Sequence, residues 1–223
     1  MTITLCFAPG TCARVPLIAL EEIGTPFETK LIAFMKGEHR TPDFLSLNPA
    51  GKVPALILDD GVLTQNTAIL HYLARRFPQA RLLPTAADPL AEAQMLARLA
   101  WFSADLHPLV TRIRMPHFFC DLDGSPARVR ELAETAMAFQ LAGAERDLAS
   151  APWLLGDDWS ILDAYLYWVW FRITGAGFDT APFPAITDHA RRMEERPAVQ
   201  RALAREREAE QALAAQGSAV PLR

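Results

Sequence analysis

The hydrophobic pattern of this chain changes character once, and that change limits the folds open to it. Up to Phe77, short alternating runs and helical runs take turns. Beyond a stretch punctuated by Pro78, Pro84 and Pro89, only helical periodicity remains. The pattern predicts an α/β domain over 1–80, a linker over 81–88 and an all-helical domain over 89–215.

Within the first part, Ile3, Leu5 and Phe7 alternate with Thr4 and Cys6, which predicts a strand over 2–7 that Pro9-Gly10 ends. Val15, Ile18, Ala19 and Ile23 mark a helix stopped by Gly24. A second strand is expected over 27–33, a short helix at Pro42–Leu47 and a third strand over 53–58. Asp59-Asp60-Gly61 is a hairpin signal leading into a fourth strand at Val62-Leu63. From Asn66 the spacing turns helical, with Ile69, Leu70, Leu73 and Phe77 on one face. A β-α-β unit followed by a hairpin and a closing helix is the thioredoxin-like layout.

The second part predicts one long helix over 90–118, bent at Pro108 and Pro116. Another opens with Ser125 as N-cap and Pro126 at its first position, and runs to about 149. A third opens at Ser160-Ile161-Leu162-Asp163, which has capping-box spacing with Asp163 in place of the usual Glu or Gln. A last helical region is expected over 184–214, with 215–223 frayed.

A chain of 223 residues with 51% hydrophobic and 22% charged side chains is long enough for a real core. Its net charge of −4 argues against nucleic acid as a partner and leaves room for a local cationic pocket. The first residues carry no basic leader, and the most apolar run, 164–171, is too short to span a bilayer, so a cytoplasmic protein without membrane contact is expected. Cys6, Cys12 and Cys120 lack CxxC spacing, which predicts free thiols and neither a disulfide framework nor a metal site.

Three places carry chemistry. Cys12 follows Pro9-Gly10-Thr11 where a strand hands over to a helix; free N–H groups and the helix dipole there favour a thiolate, while the same position also suits a small buried thiol. Pro54 opens a strand and has no N–H to donate; a cis bond before it would turn the Val53 backbone outward to pair with an extended peptide, and a plain edge-strand proline is the other option. Asn66 precedes an amphipathic helix, where it can cap the N-terminus and the free N–H groups can bind a carboxylate.

These segments carry a resemblance. Phe7-Ala8-Pro9-Gly10-Thr11-Cys12, Asn48-Pro49-Ala50-Gly51-Lys52-Val53-Pro54-Ala55-Leu56, the run from Leu63 through Gln65-Asn66 to Leu73, Asp105-Leu106-His107 and Trp159-Ser160-Ile161-Leu162-Asp163-Ala164-Tyr165 resemble the cytosolic glutathione transferases. The likeness runs from residue 3 to about residue 205 and is nearest to the bacterial beta class, which has a cysteine just after this proline-glycine turn. It implies a thioredoxin-like domain binding glutathione, a helical domain, a homodimer and conjugation of glutathione to a small hydrophobic electrophile.

The resemblance also implies roles. Cys12 and His107 would be catalytic, the first touching or trapping the glutathione sulfur and the second facing it. Thr11, Lys36, Val53, Gln65, Asn66 and Asp105 would bind glutathione: Lys36 at the glycyl carboxylate, Val53 along the cysteinyl backbone, Gln65 and Asn66 at the γ-glutamyl end, and Asp105 across a dimer interface. Phe34, Met35, Arg112, Met115 and Phe118 would wall the second-substrate pocket, and Pro54, Ser160 and Asp163 would be structural. Gln65 and Asn66 depart from the usual beta-class pattern of glutamate followed by serine, threonine or glycine. Two rival functions stay open: thiol–disulfide exchange through Cys12, and a non-catalytic binding module.

Overall fold

The alternating segments assemble into one four-stranded sheet. Strands β1 (Thr4–Phe7), β2 (Glu28–Leu31), β3 (Ala55–Leu58) and β4 (Gly61–Thr64) lie in the order β2-β1-β3-β4. β1 runs parallel to β2, while β3 is antiparallel to β1 and to β4. The computed structural model describes residues 2–218. Residues 219–223, where part of the frayed end was expected, lie outside the described residues.

The chain divides into two compact units. One consists of the segment ending at Leu82 together with the segment beginning at Glu195; the other runs from Leu83 to Glu194. The first unit holds the sheet, α1 (Arg14–Ile23), the short α2 (Pro42–Leu47), α3 (Asn66–Arg76) and, from the far end of the chain, α9 (Pro197–Ala215). Helix α1 is buried along Arg14 to Glu21 and contacts both α3 and α9. Gly24 ends it in the left-handed conformation, φ 71°, with its N–H on the Leu20 carbonyl.

The second unit contains α4 (Pro89–Trp101), α5 (His107–Arg114), α6 (Ser125–Ser150), α7 (Ile161–Thr174) and α8 (Pro184–Glu195). Helix α7 is its centre, with Ile161 to Trp170 buried without interruption. A helix apolar on every side can only be a core helix. The Tyr165 ring stacks on Phe102 at 4.9 Å between centroids. The capping box read from the sequence is present: the Asp163 carboxylate accepts the Ser160 N–H at 2.9 Å. It also accepts the Leu154 N–H at 2.9 Å and lies 3.0 Å from Nε2 of the fully buried His189.

Several boundaries differ from expectation. The long helix over 90–118 is three pieces. A π-helical turn at Phe102–Leu106 precedes Pro108, and the chain leaves the helix at Met115 because a residue before proline is pushed out of the α region. Ser125 is not an N-cap; Gly124 holds that position, and the Ser125 hydroxyl donates to the Leu122 carbonyl. The single region expected over 184–214 breaks at Arg196, extended at φ −71° and ψ 130° before Pro197, and its second half, α9, belongs to the first unit. Helix α9 ends cleanly: the Gly217 N–H bonds the Ala214 carbonyl and the Ser218 N–H the Leu213 carbonyl, a Schellman closure with Gly217 at φ 66°.

Candidate functional site

Sheet topology gathers the first unit's predicted residues at one edge. β1 and β2 are parallel, so the turns after both emerge together; these carry Cys12 and Lys36. β3 starts at this edge, opposite Cys6, so Val53-Pro54 lies there. β4 ends there, with Thr64 opposite Ala55, and delivers Gln65 and Asn66. The carboxyl edge of a sheet is where ligands of α/β folds bind. The Val53–Pro54 peptide bond is cis.

Contacts tie these pieces together. The Cys12 thiol lies 3.6 Å from the Val53 carbonyl oxygen and is 9% exposed, at the rim of the core. Asn66 Nδ2 donates to the Cys12 carbonyl at 3.0 Å. Asn66 is therefore not the helix cap that its place in the sequence suggested. Gln65 occupies the N-cap position at φ 70°, without a side-chain capping bond, and Asn66 is the first helical residue, buried and turned back onto the Cys12 loop. A non-glycine residue held at positive φ is the kind of backbone strain that concentrates at functional sites. Thr11 closes the turn before Cys12: its hydroxyl donates to the Ala8 carbonyl at 2.6 Å and accepts from the Ala13 N–H at 3.4 Å.

Sequence reasoning missed the clamp on this turn. Glu206 of α9 accepts the Gly10 N–H at 3.1 Å and the Arg14 Nε–H at 2.9 Å, so one carboxylate grips the chain on both sides of Cys12. Arg14 and Glu206 are each 2% exposed. One signal for this was present: Val199, Ala202, Ala209 and Leu213 form the buried stripe of α9, and Glu206 falls in it at helical spacing. A carboxylate inside an apolar stripe needs a buried partner.

The other residues of the first unit sit on the turns after β2. Phe34 packs its ring edge-on against His39 at 4.7 Å, Met35 is exposed, and the Lys36 ammonium donates to Gln216 Oε1 at 2.9 Å. Burial, with Arg40 adding to it, holds the His39 imidazole below its usual pKa. Cys6 is fully buried on β1, and desolvation pushes its thiol up against the smaller opposing pull of Lys30.

In the helical unit, Asp105 lies exposed on the π-helical turn and His107 opens α5, its ring edge-on to Trp168 at 4.7 Å. Arg112 lies 4.7 Å from the centre of the Phe119 ring, Met115 is half-buried and Phe118 exposed. Cys120 is half-exposed. Among the described residues, no helix is long and apolar enough to cross a membrane and no group of three His, Cys, Asp or Glu could hold a metal.

Residues 1–75 match the glutathione S-transferase N-terminal domain model, a span that contains the whole sheet edge described above. Over 189 residues the chain is 34% identical to glutathione S-transferase GST-4.5 of Xanthomonas campestris pv. campestris, covering 83% of this chain and 89% of that one. The chain belongs to the glutathione S-transferase family. A transferase homologue from Sulfitobacter, solved with bound glutathione, is 33% identical and superposes with a TM-score of 0.81, covering 92% of this chain and 98% of that one. A bacterial beta-class transferase from Sphingomonas chungbukensis is 30% identical with a TM-score of 0.79, covering 91% and 98%. Both family halves are thus accounted for: the thioredoxin-like layout in the sheet with α1 and α3, and the all-helical part in α4 to α8.

Proposed function

We propose that this family member is a cytoplasmic, homodimeric glutathione transferase that conjugates the glutathione thiolate to small hydrophobic electrophiles. The observation that carries the reading is the gathering of Cys12, Lys36, Val53, Gln65 and Asn66 at one sheet edge, with the Cys12 sulfur 3.6 Å from the Val53 carbonyl. An extended tripeptide lies along Val53 by strand-like pairing. Its γ-glutamyl end meets Gln65 and the N-terminus of α3, where the Gln65 side chain makes no capping bond and the helix dipole favours a carboxylate. Lys36 takes the glycyl carboxylate, and the tripeptide sulfur lies beside Cys12.

The chemistry asked of the protein is thiolate stabilisation and positioning. The glutathione S–H loses its proton, the sulfur forms a bond to the electrophilic carbon, and the leaving group departs with the bond electrons.

A second reading is favoured by the nearness of a cysteine sulfur to the Val53 strip. Cys12 thiolate attacks a glutathionyl disulfide, takes the glutathione as a mixed disulfide and releases the other thiol; a second glutathione thiolate then attacks the glutathione sulfur of that mixed disulfide, which releases glutathione disulfide and returns Cys12 as thiolate. Cys12→Ser separates the two. Conjugation to an aryl chloride is expected to survive in part, and reduction of a glutathionyl disulfide to vanish. Loss of neither activity would remove Cys12 from the site, and failure of the unmodified protein to bind glutathione would sink the assignment altogether.

A further inference from the structure

The end of α9 touches the lysine assigned to glutathione. Lys36 lies in the 3-10 turn Phe34–Lys36 after β2, and its ammonium donates to Gln216 Oε1 at 2.9 Å. Gln216 is fixed in turn by the Schellman closure of α9, in which the two residues after it bond back to Ala214 and Leu213, and Ser218 beyond it is buried. The partner of the ammonium is an uncharged amide. Lys36 makes no ion pair among the described residues, and the acid nearest to it in the chain, Glu38, is bonded elsewhere, its Oε2 accepting the Ala33 N–H at 2.7 Å.

We infer that Gln216 is a positioning residue for the anion site: it orders the Lys36 side chain without neutralising it. A free lysine loses much rotamer freedom when it grips an anion. A fixed acceptor removes part of that loss before the ligand arrives, the general effect of preorganisation. A carboxylate at the same place would order the chain equally well and cancel its charge. The amide is thus the acceptor that leaves a full positive charge facing a carboxylate. Gln216 supplies no contact to the reacting sulfur and acts only through Lys36. The inference rests on the assignment of Lys36 to the glycyl carboxylate of glutathione.

The test compares glutathione with its glycyl ethyl ester, which lacks that carboxylate. Dissociation constants are measured by calorimetry for the intact protein and for Gln216→Ala, Gln216→Glu and Lys36→Ala. Gln216→Ala is expected to weaken glutathione binding about threefold to tenfold, the cost of leaving one long side chain to be ordered by the ligand. Gln216→Glu weakens it further, and neither changes binding of the ester or the urea midpoint. A Gln216→Ala protein that binds both ligands as before, or loses both alike, overturns the inference, and so does a glutamate variant that binds glutathione as well as the original. Lys36→Ala tells the two failures apart. If it abolishes the preference for glutathione over the ester while Gln216→Ala does not, only the role of Gln216 falls. If it leaves the preference intact, the Lys36 assignment falls and takes the inference with it.

Discussion

Asn66 shows how one side chain can be read correctly for place and wrongly for partner. An asparagine between a strand and an amphipathic helix is a natural cap. Gln65 takes the cap position by adopting positive φ, which frees the Asn66 amide to reach the Cys12 carbonyl 54 residues away in the chain. Nothing local in the sequence encodes that reach. Asn66→Ala removes one of two hydrogen bonds to the Cys12 carbonyl, which keeps the Val15 N–H at 3.2 Å, at a cost of about 0.5–1.5 kcal/mol. The check is a urea titration, read together with glutathione affinity; an unchanged midpoint would mean that the bond contributes nothing. Ser160 and Asp163, by contrast, were legible because their partnership spans one helical turn. His189, which joins the same carboxylate from 26 residues on, was not.

Elements were legible where periodicity was strong. Alternation marked β1, and Gly24 marked the end of α1. Breaks inside helical stretches were harder, since a π-helical turn keeps the hydrophobic period almost intact while shifting its phase. The pairing of α9 with α1 was invisible, because a stripe on one helix does not name the helix that covers it. Its buried link makes a definite prediction. Arg14→Met alone strands the Glu206 charge in the core and lowers stability by about 3–5 kcal/mol. Adding Glu206→Gln removes that charge yet keeps an acceptor for the Gly10 N–H, so the double variant recovers much of the loss. A double variant as unstable as the sum of its parts would contradict this account.

The same helix carries a pH dependence. Glu210 lies one turn beyond Glu206, and burial first, then the Glu206 charge, raises its pKa above the ordinary carboxylate value. A folded-state pKa above the unfolded one means that the carboxylate form opposes folding. The penalty is absent below the unfolded value, near pH 4.3, and grows as pH rises through the folded one. Glu210→Gln is therefore expected to stabilise the protein at neutral pH and to make no difference in acid. Thermal melts across that range decide the matter, and a gain confined to low pH would reverse the sign.

At the scale of the whole molecule, the switch from mixed to purely helical periodicity gave no hint that the first unit claims the last helix. Compact units are set by which surfaces bury one another, and proximity along the chain is a weak guide to that. All four strands and the Cys12 turn come from the first 82 residues, yet the carboxylate that grips that turn is supplied by Glu206. A ribosome therefore releases every motif of the sheet edge long before it releases the residue that fixes Gly10 and Arg14. A message cut short ahead of Pro197 would encode the helical unit in full and the sheet edge in full, and would leave Arg14 facing water where a buried acid belongs.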